Sequence, residues 1–248
     1  KLSISAGKMC ADWGAWEFDW NPIDIYEYSD IVEYADNFLT GVGVSFTPSN
    51  RNQFTFQILD SRTKSFDELY GSQPNFTESK APLAFVGNWR GSLFDGKFKT
   101  IWSYSIFNEA QNAEGKNANM HYIALGNEFN FEKFRFIYDF KWSDEELDRT
   151  GIVSETVPDN LYAFALANTQ YVGHWINIRY MISPKLHLTF VGMLDLARWK
   201  NSFNDPENTT GEEKIRDAWG YVPAVEYYPW SDLNIKFFAN WVGRAYKY

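Results

Sequence analysis

Cysteine is almost missing from this 248-residue chain, with Cys10 the only one. One thiol cannot build a disulfide framework, a cysteine zinc site or a CxxC redox pair. Basic charge is short as well: 23 Lys plus Arg stand against 32 Asp plus Glu, a net charge of −9. No basic stretch could neutralise a run of phosphates, so nucleic acid is excluded as a partner. Long apolar runs are lacking. The longest uncharged stretch, LYAFALANTQYVGHWINI at 161–178, is broken by Asn168, Thr169, Gln170, Gly173, His174 and Asn177. A membrane helix needs about 20 mostly apolar residues. The opening KLSISAGKMC lacks the apolar core of a secretion signal, so any such peptide is expected outside this sequence.

Aromatic surface is plentiful: 21 Phe, 15 Tyr and 11 Trp make up 19% of the chain. A chain this aromatic can bury enough surface to offset its ordering entropy, which excludes disorder. The aromatics recur with period two. In EKFRFIYDFKW, Phe134, Phe136, Tyr138, Phe140 and Trp142 share one face, opposite Lys133, Arg135, Ile137, Asp139 and Lys141. Strand side chains alternate, so this segment shows an aromatic face and a charged one. In FDGKFKTIWSYSI, Phe98, Thr100, Trp102, Tyr104 and Ile106 alternate with Lys97, Lys99, Ile101, Ser103 and Ser105.

The pattern predicts about eleven strands: 1–10, 37–47, 51–60, 82–93, 96–107, 118–129, 132–143, 170–182, 185–199, 216–228 and 232–247. Short connections (47–50, 95–96, 130–133, 183–185, 229–232) alternate with long ones at 11–36, 61–81, 108–117, 144–169 and 200–215. Short turns at one end and long loops at the other mark an outer-membrane β-barrel. No linker-like shift in composition divides the chain, so 1–248 reads as a single domain. The expected fold is all-β, a transmembrane antiparallel up-and-down β-barrel in the bacterial outer membrane. Eleven large aromatic faces would enclose more volume than side chains could fill, because eight strands already make a filled barrel. The faces are therefore expected inside out, aromatics toward the lipid bilayer and charges toward water. Trp89, Trp102, Trp142, Trp199 and Trp241 would supply members of the interfacial girdles.

Nine bases are expected to face the lumen: Arg90, Lys97, Lys99, Lys133, Arg135, Lys141, Arg179, Lys236 and Arg244. Four acids share that phase: Glu128, Asp139, Asp195 and Glu226. A basic wall lowers the barrier for anions. Arg90, Lys99, Arg135, Lys141, Arg179, Lys236 and Arg244 are the candidate pore-lining, solute-binding residues. The 11–36 connection has many acids and no base, and Asp19, Asp24, Glu27, Asp30 and Glu33 are its candidate constriction residues. An acidic loop folded against a basic wall would set up a transverse field. A solvated surface loop, or a divalent-cation site at the cell surface, is the alternative for this segment.

The stretch AGKMCADWGAWEFDWNPIDIYEYSDIVEYADNFLTGVGVSF resembles the phosphate-selective porin O and P family in its Bacteroidetes form. The resemblance rests on Gly7-Lys8, Glu17, Asn21-Pro22, Tyr28-Ser29 and the glycine-rich Gly41-Val42-Gly43. The C-terminal WGYVPAVEYYPWSDLNIKFFANWVGRAY is similar to that family's penultimate hairpin. The resemblance implies a sixteen-stranded barrel, a trimer or a larger outer-membrane assembly, and strands lying outside this sequence at both ends. An odd strand count points the same way, because it cannot close an antiparallel barrel with both termini on the periplasmic side. The family's phosphate specificity implies a dense arginine ladder. Only Arg90, Arg135, Arg179 and Arg244 stand in suitable phase here, so a general channel is expected.

No catalytic residue, metal site or cofactor is expected. None of His121, His174 and His187 falls beside a serine near an outer loop, as a barrel hydrolase would require. The acids lack the fixed spacing of a calcium loop. Two functions are carried forward. The first is passive diffusion of small hydrophilic, ionic solutes with a mild anion preference. The other is a structural or docking barrel subunit of a larger outer-membrane complex.

Overall fold

The structure is a computed structural model that describes residues 1–16, 38–62, 65–66, 76–147, 167–200, 212–230 and 235–247. Its strands are β1 (Leu2–Cys10), β2 (Phe38–Ser49), β3 (Asn52–Asp60), β4 (Phe76–Leu93), β5 (Phe98–Asn112), β6 (Asn117–Asn130), β7 (Phe134–Leu147), β8 (Ala167–Ser183), β9 (Leu186–Lys200), β10 (Glu212–Tyr227), β11 (Phe237–Asn240) and β12 (Gly243–Lys247). They form one antiparallel sheet in which each strand pairs with the next along the chain. β12 pairs with β10 in the register that β11 begins, from Ala224 opposite Asn240 to Tyr221 opposite Gly243. β11 and β12 are thus one strand position interrupted at Trp241 and Val242. Eleven positions follow, as the alternation predicted. The sheet does not close on itself: β1 and the β11–β12 position are its two edges.

The two faces differ as a barrel wall requires. Along β7, Ile137, Asp139, Lys141, Ser143, Glu145 and Leu147 are buried, while Phe136, Tyr138, Phe140 and Trp142 lie half-exposed on the other side. β4, β5 and β6 alternate in the same phase, with Trp102 and Tyr104 exposed outward and Ser103 and Ser105 buried inward. The outer face also holds polar groups that satisfy one another. The Tyr104 hydroxyl lies 2.8 Å from His121 Nδ1, and that of Tyr138 lies 2.9 Å from His174 Nδ1. In hydrocarbon an unpaired hydroxyl or imidazole would cost several kcal/mol. Diagonal pairing across neighbouring strands removes much of that penalty.

Several predicted boundaries shift, among them the end of β7, which runs to Leu147 instead of 143. The expected long connection at 108–117 is a turn at 113–116, because β5 runs to Asn112 and β6 starts at Asn117. β4 starts at Phe76, six residues before the expected 82. Pro82, which cannot donate to a ladder, sits in a register irregularity between Glu78 and Leu83. These extensions lie at the end away from the short turns, where polar residues occupy both faces and alternation fades.

Candidate functional site

Segment 11–16 leaves β1 and turns onto the buried face. The Asp12 amide donates to Gln57 Oε1 on β3 at 2.6 Å, and its carboxylate meets Arg90 of β4 at 3.1 Å. The Gly14 amide donates to Ser103 Oγ on β5 at 2.9 Å, and that hydroxyl donates back to the Gly14 carbonyl at 2.7 Å. Trp13 packs edge-on against Tyr122 of β6, with ring centroids 6.1 Å apart. Ala11, Trp13 and Ala15 are buried in one apolar cluster with Leu39, Leu59, Val86, Phe107 and Tyr122. Gly126 supplies the space for this strap: a Cβ there would stand 2.9 Å from Ala15 Cβ, Trp16 N and Asp139 Oδ1. Glycine inside a strand often marks such a close approach, a signal legible in ALGNEF. The expected constriction residues Asp19, Asp24, Glu27, Asp30 and Glu33 lie outside the described residues.

Below the strap, the bases gather at the short-turn end. Arg135 and Arg179 sit directly opposite each other across β7 and β8. Like charges in that position repel, and each has its own carboxylate. Glu128, buried, accepts from Arg135 Nε at 2.7 Å and from Asn130 Nδ2 at 2.6 Å, with Lys99 Nζ at 3.8 Å. Glu226, fully buried, binds Lys236 Nζ at 2.7 Å and Arg179 at 3.3 Å. The Tyr228 hydroxyl donates to Glu226 at 3.2 Å, and His187 Nδ1 stands 4.0 Å away. Burial, and after it the charge of Glu226, raises the Tyr228 phenol above its ordinary pKa. Arg90 and Lys99 line a cavity of about 240 Å³ that reaches Trp16 of the strap.

Two candidates stand apart from this belt. Lys141 is on the inner face but only 1% exposed, between Ala124 and Gly173 in register, so it is a wall residue covered from water. Arg244 lies in an exposed position with its guanidinium 5.3 Å from the Tyr246 ring centroid. Lys97 and Lys133 fall in exposed turns, off the strand wall.

The charge count of the wall needs correction. Glu109 and Glu145 also point inward and are fully buried, beside Glu128, Asp139, Asp195 and Glu226. They were missed because 108–117 and 144–169 read as loops. Among the described strand residues, seven inward bases on strands or at their ends now face six inward acids, and the expected excess of nine bases over four acids shrinks to one. What remains is axial layering. Arg90, Lys99, Arg135, Arg179 and Lys236 occupy the short-turn end with Glu128 and Glu226, while Glu109, Asp139, Glu145 and Asp195 lie higher with Lys141.

Comparison with known proteins agrees with this architecture. The family model of phosphate-selective porin O and P matches residues 1–248. No curated protein matches the sequence. Among solved structures, the fold is similar to that of the outer membrane channel DcaP of Acinetobacter baumannii, with a TM-score of 0.61 and 11% identity. That likeness covers 97% of this chain and 65% of the other, so this chain spans under two thirds of the channel's length. A sheet with inside-out faces, short turns at one end and a strap folded onto its inner wall is the architecture of a bacterial outer-membrane barrel, and the chain belongs to the phosphate-selective porin O and P family.

Proposed function

We propose that this chain, one barrel domain over 1–248, forms the wall of a passive diffusion channel for small hydrophilic solutes. Its mild anion preference is set at the periplasmic mouth. The observation that carries this reading is the belt of Arg90, Lys99, Arg135, Arg179 and Lys236, five bases against three carboxylates, the buried Glu128 and Glu226 and Asp12 of the strap. Fixed charges act over roughly 8–10 Å at physiological salt, which lets such a belt bias a narrow aqueous passage. With four arginines in phase, the arrangement suits anions in general better than phosphate alone. The belt concerns the barrel interior and leaves the outer faces for lipid and for a trimer contact.

The test is reversal potential in planar bilayers under a salt gradient. Neutralising Lys99, Arg135 and Arg179 together is expected to shift it toward cations, with a smaller shift in 1 M salt, where screening shortens to about 3 Å. An unchanged reversal potential removes the belt from selectivity. The buried strap favours one further reading, a plugged barrel acting as a structural subunit, and this reading takes over if the protein shows no conductance.

A further inference from the structure

The structure also points to a lipid site on the outside of the short-turn rim. The β4–β5 turn holds Phe94 and Asp95 at φ 52° and 56°, left-handed backbone that an aromatic residue rarely adopts. Phe94 is 74% exposed. Beside it Phe98 and Phe129 pack with centroids 4.9 Å apart, and Phe131 stands out of the next turn, 61% exposed. Phe94, Phe98, Phe129 and Phe131 enclose an apolar groove of about 580 Å³ whose one polar wall is Lys97. Phe98 and Phe129 are paired in register in the row that continues to Phe136, so the groove opens on the outer face.

The nearby charges leave Lys97 available. Asp95 is taken by Arg51 at 3.1 Å. Glu132 and Lys133 are exposed in the adjacent turn, and Lys97 makes no ion pair among the described residues. An aromatic groove at the headgroup level, edged by one unpaired ammonium, fits a ligand with an apolar chain and an anionic head. We propose that it binds an anionic phospholipid of the inner leaflet, its acyl chain along Phe94, Phe98, Phe129 and Phe131 and its phosphate on Lys97. Strain at a fixed turn is commonly kept where a ligand contact uses it, and a lysine near an anionic headgroup adds to the attraction. The site is independent of what the channel passes.

Native mass spectrometry of the detergent-purified protein tests this, with dioleoylphosphatidylglycerol and dioleoylphosphatidylcholine as probes that share their chains and differ in charge. The wild type is expected to retain phosphatidylglycerol about fivefold better. Lys97→Gln is expected to abolish that preference, Lys97→Arg to keep it, and Phe131→Ala to lower retention of both lipids. Lys116→Gln, in the turn at the opposite end, should leave retention unchanged. Equal retention of the two lipids by the wild type, or an undiminished preference in Lys97→Gln, overturns the proposal.

Discussion

Ser103 and Gly14 exchange two hydrogen bonds through a single hydroxyl, although 89 residues separate them. The serine on β5 thereby satisfies both backbone groups of a glycine in the strap. Asp12 fastens the same strap to β3 and β4 through Gln57 and Arg90. The strap is held by polar contacts to three strands and by the burial of Trp13.

Ser103→Ala is expected to leave the buried Gly14 amide and carbonyl unpaired, at a cost of about 1–3 kcal/mol. The loss should appear first in the strap. Hydrogen exchange at 11–16 should speed up while the middle of β5 stays protected. Unchanged exchange in the strap would show that this hydroxyl does not hold it.

Gly126→Ala tests the same strap from the other side. Its new methyl would stand 2.9 Å from Ala15 Cβ and Trp16 N, closer than packed atoms tolerate. We expect the strap to shift off the wall and single-channel conductance to rise, with the β circular-dichroism spectrum preserved. Conductance equal to the wild type would mean that the strap does not set the width of the passage.

The two faces of β7 make opposite demands. Phe140→Arg places a charge on the outer face and should cost about 2–4 kcal/mol near the midplane. From the sequence, Arg135→Phe looks harmless, since it removes a charge from water. The structure corrects this, because Arg135 holds buried Glu128 at 2.7 Å. Arg135→Phe is now expected to destabilise by about 1–3 kcal/mol, and Arg135→Lys by less. Urea unfolding in lipid vesicles measures both, and a neutral Phe140→Arg would show the faces to be misassigned.

Tyr228 predicts a response to alkali. Its phenol is raised above the ordinary value of about 10 by burial first and by Glu226 second. The folded chain favours the protonated form, so this contribution to stability is whole below the unfolded pKa. It is lost as pH rises through the higher folded value. Thermal stability in detergent should therefore fall above about pH 10 more steeply for the wild type than for Tyr228→Phe. Parallel profiles would refute the assignment.

The alternation in EKFRFIYDFKW and FDGKFKTIWSYSI was enough to assign strands, strand number and face polarity, because a period of two leaves little choice once one face is aromatic. Gly126 went unread, although a glycine inside an alternating strand is a signal of close approach. Glu109 and Glu145 escaped notice because polar residues flank them on both faces and no alternation marks a strand there. The strap, the opposed Arg135 and Arg179, and the carboxylate that each arginine holds were not legible. Pairing Asp12 with Arg90 spans 78 residues, and contacts of that length depend on register and sheet curvature. Where the alternation was clear, local pattern determined which residues face inward; only the folded sheet decided which of them meet.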